Sequence, residues 1–268
     1  MSRIIKLVLS CVMYAATEMW RAARRLVGIA TPPITTVLCY HHTFDHERTR
    51  FARQLDHLLR WCEPVPANIK EQLVPGRRYV ALTADDGWLS FLRNAVPEML
   101  SRRIPITIFL ITGRLGEAIE PDKADRLVTL AELATVTSPT VTLGSHTVNH
   151  ARLTHVTEEV AMRELADSRH ALAGIPNADP DLFAFPFGSY NSRVADLCRM
   201  AGYRRVFITM PRPAFASPEE FEVGRIRVDP SDSLLEFHLK MMGAYGWTFR
   251  AIILKRRFKA LFTRPAPI

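Results

Sequence analysis

Three short clusters in this 268-residue sequence combine residue types that could carry out chemistry. The first, Thr83-Ala84-Asp85-Asp86-Gly87, closes the apolar run Tyr79–Leu82. Adjacent carboxylates at a strand end repel each other unless a cation is held by one while the other stays free as a base. An ordinary Asp-Gly turn is the alternative. The second cluster, Gly144-Ser145-His146-Thr147-Val148-Asn149-His150, ends a similar run and sets two imidazoles four residues apart, within reach of one ion. One Asp and two His make three protein ligands and leave positions open for water, as in catalytic rather than structural sites. A metal held there would lower the pKa of water and polarise a carbonyl, and the spare carboxylate could take the proton. In the third cluster, Phe183-Ala184-Phe185-Pro186-Phe187-Gly188, the residues Pro186, Phe187 and Gly188 fix a tight loop. A backbone N–H in that loop could face a developing oxyanion. His155 falls outside the four-residue spacing and reads as an ordinary histidine.

These clusters need elements that bring strand ends together. Short apolar runs at Thr35–His42, Tyr79–Asp86, Pro105–Thr112, Thr140–His146, Leu182–Phe187, Arg205–Thr209 and Gly224–Val228 read as strands. Helical periodicity lies between them, at 48–62, 88–101, 125–135, 157–173, 191–201 and 231–243. In 48–62 the apolar face is Phe51, Leu55, Leu58 and Leu59. In 157–173, Thr157 reads as the N-cap and Met162, Leu165, Ala166, Leu172 and Ala173 as the stripe. Alternating strands and helices imply a parallel α/β sheet. Chemistry at the C-terminal ends of several strands favours a barrel over an open sheet. There is no internal repeat, and 211–218, with its prolines, reads as a surface loop.

The length suits one domain with short additions. Hydrophobic residues at 48% and charged residues at 23% are the proportions of a folded globular chain. Charge is uneven: the net +8 divides into +4 in residues 1–26, +6 in residues 247–268 and −2 between them. Residues 1–30 read as a basic amphipathic helix with Ile4, Val8, Cys11, Ala15, Met19, Ala22 and Leu26 on one stripe. Residues 247–268 read as a basic amphipathic tail, leaving 31–246 as the catalytic unit. No run approaches the roughly eighteen apolar residues of a membrane span. Such ends suit peripheral contact with an anionic membrane, or simple packing on the barrel with solvated charges. Lys6 interrupts the first apolar stretch and no small-x-small cleavage site follows it, which argues against a signal peptide. Four cysteines, Cys11, Cys39, Cys62 and Cys198, have no CxxC spacing and form no disulfide framework. Together these features favour a cytoplasmic location, peripheral at the inner membrane, over a periplasmic or exported one. Charge confined to the ends, with no recognised motif, argues against nucleic-acid binding.

In order and spacing, TADDG, GSHTVNH and FAFPFG resemble motifs one to three of the NodB-homology polysaccharide deacetylases, carbohydrate esterase family 4. The resemblance covers residues 35–245. It implies a distorted (β/α)7 barrel, a divalent metal (zinc most often, cobalt or nickel otherwise) and removal of N-acetyl groups from amino sugars. Carried over by motif position, Asp85 is the general base, Asp86, His146 and His150 are the metal ligands, and the Phe187 N–H serves the oxyanion. Two departures matter. The family's motif-three arginine, which holds the base carboxylate, is replaced here by Ala184. Arg225, in Gly224-Arg225-Ile226-Arg227-Val228, is the expected substitute, with an exposed charge on an edge strand as its other reading. The late Leu-x-His motif that supplies the general acid is also missing, because His238 lies mid-helix at the wrong spacing. Cys39-Tyr40-His41-His42 instead resembles the Tyr-His first-strand motif of the poly-N-acetylglucosamine deacetylase branch. That assigns the acid to His41, with His42 on the opposite face if the strand continues.

The expected activity is metal-dependent hydrolysis of an amino-sugar N-acetyl amide in a cell-envelope glycan or its lipid-linked precursor. The alternatives are a deformylase or other N-deacylase acting on a lipid-linked sugar, and a non-catalytic carbohydrate-binding relic.

Overall fold

The computed structural model describes residues 2–119, 125–136, 138–249 and 251. In chain order the elements are α1 (Arg3–Leu26), β1 (Ile34–Tyr40), α2 (Arg48–Trp61), β2 (Glu63–Pro64), β3 (Arg78–Ala84), α3 (Leu89–Asn94) and α4 (Val96–Ser101). There follow β4 (Ile106–Leu110), α5 (Leu130–Ala134), β5 (Val141–Ser145), α6 (Glu158–Leu172), β6 (Ala178–Ala184) and α7 (Ser192–Met200). The chain continues through β7 (Arg205–Ile208), β8 (Glu222–Gly224), β9 (Ile226–Arg227) and α8 (Leu234–Met241).

Each of the seven expected strands is present, and every pairing between these strands is parallel. The sheet order is β8-β7-β6-β5-β4-β3-β1-β9, with the two-residue β2 beside β3. Its two edges, β8 and β9, are one stretch of chain interrupted at Arg225. Up to Gly224 this stretch pairs with β7, and from Ile226 it pairs with Leu38 of β1. One strand changing partners in mid-course therefore draws the sheet into a nearly closed, distorted (β/α)7 barrel. Strands such as β1 and β3 are buried on both faces, which is why they read as unbroken apolar runs rather than alternations.

Helix boundaries follow local chemistry. Thr157 accepts from the Val160 N–H and starts α6 as expected. The helical run expected at 88–101 divides into α3 and α4 ahead of Pro97, which sits in the first turn of α4. In 125–135 only Leu130–Ala134 is helical, started by a Thr129–Glu132 capping box. Leu59 is exposed in α2, whereas Phe51, Leu55 and Leu58 are buried. Ala166 in α6 and Ala173 at its C-cap are likewise exposed, and the helix buries Glu164 and Ser168 beside Leu165 and Leu172. The 211–218 segment is not merely a surface loop. Its Ala214 and Phe215 are buried, and the Ala214 N–H donates to the Thr35 carbonyl of β1. No helix of the described residues is long and apolar enough to cross a membrane. Most of the expected basic tail, 252–268, lies outside the described residues.

A candidate active site at the strand ends

All three clusters lie just beyond the C-terminal ends of strands, with Asp85 and Asp86 after β3, His146 after β5 and Phe185–Gly188 after β6. In parallel strands those ends share one rim of the barrel. That is how residues about forty to a hundred positions apart in sequence come into one site.

Asp85 is 4% exposed and Arg225 1%. The two form a two-pronged pair, Arg225 Nη1 donating to Oδ1 at 2.6 Å and Nη2 to Oδ2 at 2.8 Å. Nη1 also reaches Thr83 Oγ1 at 3.2 Å, and the guanidinium carbon lies 5.4 Å from the centre of the Phe109 ring. The partner change between β8 and β9 places this arginine inside the barrel, so its reading as an exposed edge-strand charge is wrong. Burial alone would raise the Asp85 pKa. The neighbouring Arg225 outweighs it, and the carboxyl is held below its ordinary value. Asp85 is therefore an oriented carboxylate, the condition a base at this position must meet.

Asp86 faces the other way. Its backbone is left-handed (φ 73°), as is that of Gly87 (φ 86°). A Cβ at Gly87 would lie 2.7 Å from Leu110 Cδ2, so the turn needs glycine both for conformation and for space. Asp86 Oδ2 accepts from Trp88 Nε1 at 2.9 Å. Oδ1 is buried with no hydrogen-bond partner. It lies 3.4 Å from His146 Nε2 and 3.3 Å from His150 Nε2. An orphaned buried carboxylate oxygen facing two imidazole nitrogens is the donor set a divalent cation takes. His146 has its other nitrogen engaged: Nδ1 lies 2.7 Å from the Ala184 carbonyl, so it carries the proton and leaves Nε2 a lone pair. Burial, then the charge of His146, push the His150 pKa down to about 4, so that imidazole is an unprotonated donor at neutral pH. Burial lowers His146, but the Asp85 and Asp86 carboxylates outweigh it and raise its pKa, so a cation there would displace a proton from Nε2.

Cys39, His41 and Asp85 form a second group whose donor atoms lie within 4.8 Å of one another. It suits a cation poorly. Arg225 already occupies both Asp85 oxygens, and burial raises the Cys39 thiol far above its ordinary pKa, so no thiolate is on offer. The Asp86–His146–His150 group is the one that fits a metal.

His41 and His42 do not belong to a strand, since β1 ends at Tyr40. They part all the same. His41 turns to Asp85, and burial lowers its pKa against the pull of the Asp85 and Asp86 carboxylates. His42 lies against Trp88 and reaches Asp125 Oδ2 at 3.1 Å. Phe187 is left-handed (φ 59°) in the Pro186–Gly188 turn, and its ring lies 4.3 Å from that of His150, so the third cluster borders the second. His155 touches Thr154. His238 is away from the rim, its Nδ1 3.0 Å from His57 Nε2 and its ring against Trp61 and Tyr14.

Two supporting residues carry no motif. Glu164 of α6 accepts from the backbone N–H groups of Val148 and Asn149 at 2.9 Å each and from Asn149 Nδ2 at 2.7 Å. It thereby fixes the loop that presents His150, a loop strained by left-handed Thr147 (φ 68°) and His150 (φ 60°). Trp88 fixes Asp86. A buried Glu within an otherwise apolar helical stripe was the one available signal for the first. Nothing in the sequence signals the second.

A family model for polysaccharide deacetylase matches residues 73–206, half of the chain. YxkH of Bacillus subtilis (strain 168), whose name places it among polysaccharide deacetylases, is 24% identical over 159 residues. That match covers 59% of this chain and 54% of YxkH, so the chain spans about half the length of this curated relative. IcaB from Ammonifex degensii shares the fold with a TM-score of 0.68 at 24% identity, over 80% of this chain and 100% of that one. The deacetylase PplD of Streptococcus pyogenes shares it at 0.63 and 21%, over 80% and 98%. With its motifs gathered on one barrel rim and half its length matched by the family model, the chain belongs to the polysaccharide deacetylase family.

Proposed function

We propose that this chain hydrolyses the N-acetyl amide of an amino sugar in a cell-envelope glycan or its precursor, releasing acetate and leaving a free amine. The observation that carries the reading is the division of labour between two adjacent carboxylates. Asp85 is clamped by Arg225, while Asp86 leaves one buried oxygen facing His146 and His150. Asp86, His146 and His150 would hold a divalent cation, zinc by choice of donors, with cobalt and nickel as alternatives. When bound, such a cation supplies Lewis acidity, polarising the amide carbonyl and easing deprotonation of water.

The chain's own groups do the rest. Asp85, kept ionised and oriented by Arg225, takes a proton from the attacking water as its oxygen adds to the carbonyl carbon. The Phe187 N–H, on the turn beside His150, donates to the developing oxyanion. His41 delivers a proton to the sugar nitrogen as the C–N bond breaks, so that amine and acetate leave together. Burial keeps resting His41 neutral, and the proton it delivers comes from Asp85, which lies within 4.8 Å.

The test is acetate and formate release by the purified protein from N-acylated amino-sugar polymers, oligomers and lipid-linked sugars. Acetate release that disappears in Asp85→Asn supports the proposal. Formate release alone would replace it with a deformylase. A protein that binds amino sugars and releases neither acid would be a carbohydrate-binding relic.

A further inference from the structure

α1 is amphipathic in the wrong sense for a helix resting on a folded domain. A surface helix ordinarily turns its apolar stripe to the core and its charges to water. Here much of the polar chemistry faces the protein. Arg3 donates to Glu236, Trp247 Nε1 donates to Ser10 Oγ at 3.0 Å, and Glu18 pairs with Arg78. Arg21, 2% exposed, donates to the carbonyls of Pro32 and Gly76 at 2.9 Å each. Leu7, Cys11 and Tyr14 complete that inner face. The outer face is left to Ile5, Val8, Leu9, Val12, Met19 and Trp20, all exposed, with Val12 at 60% and Met19 at 73%. At about 100° per residue no charged side chain falls among them. Lys6 and Arg24, eighteen residues and so about five turns apart, line one edge of this face. The stripe legible in the sequence, from Ile4 to Leu26, is thus largely the solvent face, with Cys11 alone of its members packed on the core cluster.

We propose that α1 lies flat on an anionic lipid surface, its outer face entering the headgroup–acyl boundary while Lys6 and Arg24 meet acidic headgroups. Charge selects this occupant. Residues 1–26 carry +4 and residues 247–268 carry six basic side chains and no acid, while the rest of the chain is −2. The basic C-terminal segment begins against α1, through the Trp247–Ser10 bond, so both basic stretches originate on one side of the molecule. A second copy meeting this face would set the Lys6 and Arg24 edge of one against that of the other, whereas an anionic bilayer would be attracted to it. Trp20, with Arg24 5.1 Å from its ring centre, is the aromatic–basic pair that suits the headgroup level.

The experiment is co-sedimentation of the full chain with vesicles of phosphatidylcholine alone and of phosphatidylcholine with phosphatidylglycerol, at low and high salt. Sedimentation velocity of the lipid-free protein accompanies it. The expected result is partitioning to the anionic vesicles, weakened by salt. A drop of at least about tenfold follows in Val12→Glu/Met19→Glu and about fivefold to tenfold in Arg24→Glu. The unfolding temperature of each variant shows that the barrel is intact. Absence of binding to anionic vesicles overturns the proposal. So does equal, salt-independent binding to both vesicle types, or a concentration-dependent dimer in lipid-free solution that Val12→Glu/Met19→Glu dissociates.

Discussion

Replacing Arg225 by Met tests the tie between barrel closure and the candidate base. The substitution keeps most of the side chain's volume and removes both prongs held by Asp85, at 2.6 and 2.8 Å. With the carboxylate 4% exposed and, among the described residues, no other Lys or Arg donating to it, the charge is left buried and largely uncompensated. Breaking a buried pair in this way costs about 3–5 kcal/mol, which lowers the unfolding temperature of a domain of this size by roughly 6–20 °C. The pH dependence fixes the cause. In the native protein the Asp85 pKa is held below its ordinary 3.8, so its stabilisation is present above that pH and is lost as pH falls through the folded value. Without Arg225, burial outweighs the weaker pull of His146 and His41 and raises the pKa, so the variant loses stability as pH rises above about 4. The gap between the two proteins is then widest near neutrality and closes in acid. Thermal unfolding by circular dichroism from pH 3 to pH 8 reads this directly, with Arg225→Met/Asp85→Asn recovering much of the loss at neutral pH. A constant gap across pH, or a double variant as unstable as the sum of the single ones, would refute the reasoning.

Three further outcomes follow from the same contacts. Trp88→Phe removes the Nε1–H donated to Asp86 Oδ2 and is expected to weaken zinc affinity 10–100-fold, measured by competition with a chelating dye, beside a modest loss of stability from the cavity left in a buried site. Glu164→Ala releases the backbone N–H groups of Val148 and Asn149 and frees the His150 loop. Zinc affinity should fall by a similar factor, and hydrogen exchange at those two amides should rise. The His57–His238 pair, away from the site, makes the helical side of the barrel sensitive to acid. Burial lowers both imidazoles below the ordinary 6.5, so below that pH the unfolded chain binds more protons and stability falls as pH falls. His238→Phe should flatten the unfolding temperature between pH 7 and pH 5.

The parts legible in the sequence were those written in consecutive residues. Each motif ends a strand and carries its own turn, so Asp85-Asp86, His146 with His150, and Pro186–Gly188 could be placed at strand ends without knowledge of distant contacts. Arg225 was legible as a candidate because a motif arginine was missing. Its orientation was not, because only a strand that leaves β7 and joins β1 at that residue turns it inward. The pairing of Trp88 with Asp86 and of Glu164 with the His150 loop depends on single side chains that share no spacing with what they touch. α1 shows a related limit. Periodicity reveals a stripe, but only the partners of Arg3, Glu18 and Arg21 show that much of the polar side faces inward.

The central claim is that Asp85 acts on a substrate presented at the Asp86–His146–His150 group without itself holding the ion. It is tested most directly by measuring zinc content and acetate release together in the native protein, Asp85→Asn and His146→Ala. The expected pattern is zinc and activity in the first, zinc without activity in the second, and neither in the third, with a chelator abolishing and added zinc restoring native turnover. Full activity in zinc-free protein, or in zinc-loaded Asp85→Asn, would contradict the account.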